Sequence, residues 1–155
     1  MLDSLLIPFR SQPAPPALPE GYSLELDLLP DAVDLDRLLV ACGDPPRPAE
    51  RLQRALERST WLLCVRNPAG LLVAFVRVTS DLALNANLWD LCADPADPGR
   101  DQLLLVLVYT ALTRLRRELP GCSISVAALP EAIEPLRRQG FVVDPGGIRA
   151  MGLQL

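Results

Sequence analysis

The chain has 155 residues, with fifteen arginines, nineteen acidic residues, sixteen prolines and four cysteines but no lysine and no histidine, and its net charge is −4. Without histidine there is no Ser-His-Asp or Cys-His pair and no imidazole metal site. Without lysine there is no Schiff base or P-loop lysine, so acid–base work falls to Asp, Glu, Tyr, Cys or water. The length fits one domain burying about two-thirds of its unfolded surface, and an acidic balance with scattered arginines argues against a nucleic-acid-binding face.

Residues 1–20 form a proline-rich arm: an apolar patch, Leu2 to Ile7, then Pro13, Pro15, Pro16 and Pro19. Proline at this density favours an extended, semi-rigid segment, either an appendage on the surface of the domain at 21–155 or a docking segment for a protein partner. Asp3 and the lack of a basic flank argue against a secretory signal. From Tyr22, residues 23–28 alternate polar and apolar as a half-buried strand does. Asp31 is placed to cap a helix reaching Ala41, and Gly43 with Pro45 and Pro46 closes it. A second amphipathic helix spans 48–58, with Leu52, Ala55 and Leu56 on one side. Two β-prone runs, 60–66 and 71–79, flank Asn67-Pro68-Ala69-Gly70, a hairpin signature.

A third strand is expected over 86–93, ended by Asp94-Pro95-Ala96-Asp97-Pro98-Gly99. The longest helix follows, 98–118, with Asp97 as N-cap and Pro98 at its first position. It is apolar nearly all round its first half, which predicts burial on more than one side. Residues 122–128 read as a buried strand, 131–139 as a short helix, and 141–143 and 148–153 as two last strands around Asp144-Pro145-Gly146-Gly147. This order predicts an α/β domain of three layers with a central, mixed, mostly antiparallel sheet flanked by helices. The longest apolar run, Leu103 to Tyr109, is too short to span a bilayer. Cys42, Cys64, Cys92 and Cys122 form no C-x-x-C pair or metal-ligand set, and read as reduced thiols of a cytoplasmic protein.

Three segments carry more information: Leu72 to Asp81, ending in Arg77-Val78-Thr79-Ser80-Asp81; Asn87-Leu88-Trp89-Asp90-Leu91-Cys92-Ala93-Asp94-Pro95; and Arg138-Gln139-Gly140-Phe141 running into Asp144-Pro145-Gly146-Gly147-Ile148. Together and in this order they resemble the GNAT N-acetyltransferase superfamily, most of all its cyanobacterial and plastid branch, over residues 21–155. The resemblance implies transfer of an acetyl group from acetyl-CoA to a primary amine, on a small molecule or a protein. It implies that the backbone of Leu91, Cys92 and Ala93 meets the pantetheine arm and that Gly99 and Arg100 meet the pyrophosphate at the start of the long helix. It places Asp90 at the acceptor cleft, to orient an amine or relay its proton, with Trp89 as a substrate contact. No metal is implied.

Two departures accompany the resemblance. Asp101 and Leu103 stand where the family's phosphate loop carries its second and third glycines, and Asp97 is placed to occupy amides that a phosphate would use. The family's general-acid tyrosine is missing, since Pro135 and Leu136 hold the matching positions, and neither Tyr22 nor Tyr109 is placed to replace it. The alternative to an enzyme with a divergent cofactor site is therefore a catalytically inactive GNAT-fold module that binds a protein. Asp90 has its own structural alternative, hydrogen bonds from a neighbouring loop or a pairing with Arg77.

Overall fold

The computed structural model describes residues 14–148 and 151–154. The Leu2–Ile7 patch and Pro13 of the arm lie outside the described residues. Five strands make one sheet in chain order: β1 (Ser23–Leu26), β2 (Trp61–Arg66), β3 (Leu72–Ser80), β4 (Asn85–Ala93) and β5 (Ser123–Val126). The first four pair antiparallel; β5 lies parallel to β4, because the long helix α3 (Arg100–Glu118) returns the chain to the other end of the sheet before β5 begins.

Alternation along β2 separates two cores. Trp61, Leu63 and Val65 join Leu103, Leu104, Leu107 and Leu115 of α3, whereas Leu62 and Cys64 join Leu35, Leu38 and Leu39 of α1 (Ala32–Ala41) and Leu52 and Leu56 of α2 (Ala49–Glu57). The molecule is thus three layers, with α1 and α2 on one face and α3 and α4 (Ile133–Arg138) on the other. Burial of α3 against both the sheet and α4 accounts for its apolar circumference. Among the described residues no helix is long and apolar enough to cross a membrane.

Local chemistry fixes several boundaries. The Asp31 carboxylate accepts the Val33 and Asp34 N–H groups at 2.8 and 3.3 Å, which starts α1. In the β2–β3 turn the Asn67 side chain accepts from Ala69 and Leu71, and Gly70 supplies a φ of +81°. β1 stops at Leu26, two residues earlier than its alternation predicts. There Asp27 turns to φ +58°, takes the Leu62 N–H and is held by both terminal nitrogens of Arg114 at 2.9 and 2.8 Å.

Four further expectations are corrected. α3 begins at Arg100 with Gly99 as its N-cap and no side-chain capping bond, so Asp97 is not the cap and Pro98 is not inside the helix. β5 spans 123–126 rather than 122–128. The helix expected over 131–139 is a 3₁₀ turn at Pro130–Ala132 followed by α4. The two last strands do not form over 141–143, 148 or 151–154; residues 149–150 lie outside the described residues. Asp144, Gly146 and Gly147 all take positive φ (48°, 62° and 76°), and Pro145 has no N–H to give a ladder, so the chain coils where a strand would have to continue.

Candidate functional site

The site lies where β4 and β5 part. Their pairing runs from Asn85↔Ser123 to Leu88↔Val126 and then stops, so the backbone of residues 89–93 and that of residues 127–129 diverge as the arms of a V. At the same point β4 is bulged against β3. Phe75 opposes Cys92 and Arg77 opposes Trp89, leaving Val76 alone opposite both Asp90 and Leu91, with Asp90 at φ +55°. Simple alternation along a regular strand would place Asp90 and Cys92 on one face and Trp89 and Leu91 on the other. The extra residue changes this: Leu91 joins the α3-side core and Cys92 the α1-side core, while Trp89, Asp90, Leu91 and Cys92 all line one pocket.

That pocket has a volume of about 180 Å³ and is completed by Leu39, Cys42, Asp44 and Arg47 from the end of α1 and the loop after it, and by Ala127 and Leu129 across the V. Arg77 Nε donates to Asp90 Oδ2 at 2.6 Å, Arg47 stands 3.9 Å from Asp90 Oδ1, and Arg47 pairs with Asp44 at 2.8 Å. Asp90 is therefore committed to Arg77, as its structural alternative anticipated, and also faces the pocket. The Arg77 guanidinium lies 5.9 Å from the centre of the Trp89 ring, whose indole N–H donates to Thr79 at 2.7 Å; the ring is 42% exposed. Residues 42–47 carry no motif that marks them as pocket residues, because Cys42 to Pro46 also reads as an ordinary helix stop.

The Cys42 thiol donates to the Ala93 carbonyl at 3.4 Å. The neighbouring Cys92 lowers the Cys42 thiol, while Cys42 and burial both raise Cys92.

At the start of α3, Asp97 is buried and turned inward. One of its oxygens accepts the Gly99 N–H at 2.8 Å and the Tyr22 hydroxyl at 2.9 Å, and the hydrogen bond to this carboxylate raises the Tyr22 phenol. A β-carbon on Gly99 would meet this oxygen at 3.1 Å and Pro19 at 3.3 Å, tight contacts that those side chains would have to relieve by a few tenths of an ångström. Gln102 donates to the Ala17 carbonyl at 2.7 Å, which lays the described end of the arm against this turn. Leu103 does not stand in a phosphate's path, since it is fully buried in the α3-side core; Asp101 is exposed. Arg100, expected as a phosphate contact, is ion-paired with Glu131 at the entrance to α4, and its Nε is buried without a partner. Tyr22 is thus bonded at the α3 turn, and it is not among the residues lining the pocket. Among the described residues no group of acidic or cysteine side chains could hold a metal ion.

An acyl-CoA fits part of this geometry. The unpaired stretch of β4 can accept an extended amide-bearing arm as an added strand. The α3 end, which no side chain caps, offers its remaining amides to phosphate. The Gly99 amide and the Arg100 guanidinium, by contrast, are already engaged.

No family model matches the chain. Among curated proteins, the chloroplastic serotonin N-acetyltransferase 2 of Oryza sativa is 36% identical over 127 residues, covering 78% of this chain and 61% of its own. The histone acetyltransferase TAP1 of Glycine max is 32% identical, covering 78% and 56%. The chain thus spans about three-fifths of the length of these relatives. The uncharacterized N-acetyltransferase ycf52 of Porphyra purpurea is 30% identical, covering 76% of this chain and 68% of its own. Among solved structures, the GNAT family N-acetyltransferase YhbS of Escherichia coli, determined with CoA, superposes with a TM-score of 0.61 at 21% identity over 84% of this chain and 73% of that one. A Staphylococcus aureus protein, SA2161, superposes at 0.74 with 15% identity over 86% and 100%. The parted β4–β5 strands, the bulge of β4 against β3 and the sequence shared with ycf52 agree, and the chain belongs to the GNAT family of N-acetyltransferases.

Proposed function

We propose that the chain transfers an acetyl group from acetyl-CoA to a primary amine. The parted β4–β5 strands serve as the cofactor slot and the pocket at Asp90 as the acceptor site. The observation that carries this reading is the coincidence of the two: the pocket opens at the residue where pairing with β5 ends. When bound, acetyl-CoA supplies the activated acyl group as a thioester. In this reading the backbone of Leu91, Cys92 and Ala93 holds the pantetheine arm, the free amides at the start of α3 hold the pyrophosphate, and Gly99 and Arg100 contribute once they leave Asp97 and Glu131. Asp90, steadied by Arg77, orients the acceptor ammonium, and water carries its proton away. Trp89 forms the acceptor wall. The relatives' names, serotonin and histone acetyltransferase, make an arylalkylamine and a protein amino group the first acceptors to try.

One observation favours the second reading, an inactive module that binds a protein partner through the arm or a helix face: the Arg100–Glu131 pair and the Asp97–Gly99 bond already occupy groups that a phosphate would use. Calorimetry with CoA and acetyl-CoA separates the two. The enzyme reading expects binding in the micromolar range and acetyl-dependent loss of a primary amine. Absence of heat at about 1 mM ligand, which bounds the binding energy to roughly 4 kcal/mol or less, would leave the second reading standing.

A further inference from the structure

We propose that Cys42 and Cys92 are a modification site: they close to an intramolecular disulfide that ties the end of α1 to the bulged strand β4 at the floor of the pocket. Both side chains line the same cavity, Cys42 on the solvent side and Cys92 beneath it. Cys42 Sγ sits 3.4 Å from the carbonyl oxygen of Ala93, the residue next to Cys92, and the two thiols shift each other in opposite directions, Cys42 down and Cys92 up. A disulfide requires β-carbons roughly 3.5–4.5 Å apart, and the seating of Cys42 Sγ against residue 93 in the cavity that Cys92 also lines brings the pair toward that range.

The other two cysteines cannot substitute. Cys64 and Cys92 both oppose Phe75, one from β2 and one from β4, so a whole strand separates them and their backbones lie about 9–10 Å apart. Cys122 precedes β5 at the end of the sheet where β4 begins, away from the V.

The chemistry needs a two-electron oxidant, here a low-molecular-weight disulfide such as oxidised glutathione. Cys42 is the attacking group: it is open to the pocket, and the neighbouring Cys92 favours its thiolate. Its sulfur attacks one glutathione sulfur, the S–S bond breaks, and one glutathione thiol leaves. Cys92 then attacks the Cys42 sulfur of the mixed disulfide, loses its proton and expels the second glutathione thiol. Two protein thiols and one glutathione disulfide become one protein disulfide and two glutathione thiols. Closure removes the Cys42 S–H that bonds Ala93 and draws the α1 end toward β4, which reshapes the pocket. The disulfide itself does not depend on the acetyl-transfer reading; only its effect on turnover does.

The test is to treat the full chain with oxidised glutathione, count thiols and measure intact mass. The expected result is loss of two of the four free thiols, a product lighter by about 2 Da, a 42–92 cross-linked peptide and full reversal by dithiothreitol. Cys42→Ala, at a partly exposed position, should leave the chain folded and abolish closure. Persistence of a glutathione adduct at Cys42 without closure, retention of all four thiols, or a cross-link to Cys122 overturns the proposal. If the chain acetylates amines, oxidation should lower the rate at least about tenfold, the scale on which ångström shifts at a site cost activity. Failure of acetylation alone leaves the thiol count and mass to decide.

Discussion

Under the acetyl-transfer proposal, a single side chain decides how much of a phosphate site the start of α3 can offer. Arg100 is the one basic residue in that first turn, and Glu131 holds it from the other side of the V. Both side chains are partly exposed, 29% and 21%, so the pair adds little to stability, about 0–1 kcal/mol. Its weight falls on binding, since a guanidinium released to a phosphate makes a charge-assisted, often bidentate contact. Glu131→Gln keeps the volume and removes the competitor, so CoA affinity should rise by roughly three- to tenfold, or about 0.7–1.4 kcal/mol. Arg100→Ala should lose the same interaction and bind more weakly than the parent chain. Titration calorimetry of both variants checks this, and equal affinities in all three proteins would show that Arg100 takes no part in holding CoA. The family resemblance singles out Arg100 from its place after Gly99. It could not see Glu131, which lies 31 positions away and carries no mark of its own.

At the scale of elements, turns that are both local and polar were legible. Asp31 and Asn67 hold their own neighbours, and the residues that form such bonds are adjacent in sequence. The bulge in β4 was not legible, because it is a relation between two strands: Val76 opposing both Asp90 and Leu91 appears in neither strand alone. The last two strands were misread for the opposite reason, since an alternating apolar tail satisfies a period whether or not an edge is there to receive it. Asp81 tests a local bond of the first kind. It accepts the N–H groups of Ala83, Leu84 and Asn85 in the β3–β4 turn, which hold its carboxyl down at about 2. A carboxyl lowered by folding stabilises the fold above its unfolded value near 4, and that contribution is lost as pH falls through about 2. Acidification between about pH 4 and 2 should therefore loosen this turn, and amide protection at residues 83–85, measured against the intrinsic exchange rate at each pH, should fall over that window. Asp81→Asn retains an acceptor without the charge, and its protection should not change with pH there; a slope equal to the parent's would place the effect elsewhere.

Two cores on opposite faces of one sheet raise the question of whether the molecule unfolds as a unit. Leu38 anchors the α1–α2 layer and Leu107 the α3 layer, both with no exposed surface. The sheet between them is shared: β2 sends Leu62 and Cys64 to one side and Leu63 and Val65 to the other, so neither layer can be lost while β2 keeps its packing. Cross-layer ion pairing reinforces this. Arg114 of α3 stacks 4.6 Å from the Trp61 ring and clamps Asp27 at the end of β1, while Arg37 of α1 donates to the Leu72 carbonyl of β3 at 2.7 Å. Leu38→Ala and Leu107→Ala should each cost about 2–5 kcal/mol, the range for emptying a buried leucine site. Because the two sites lie in different layers with no shared neighbours in either core, their costs should add to within about 0.5 kcal/mol in the double variant. All three should retain one transition, shifted in midpoint, with coincident fluorescence and circular dichroism curves in urea. Separate transitions, or a Leu38→Ala protein that keeps the parent's α3 exchange protection while its other layer melts, would mean that the sheet joins two independently stable halves.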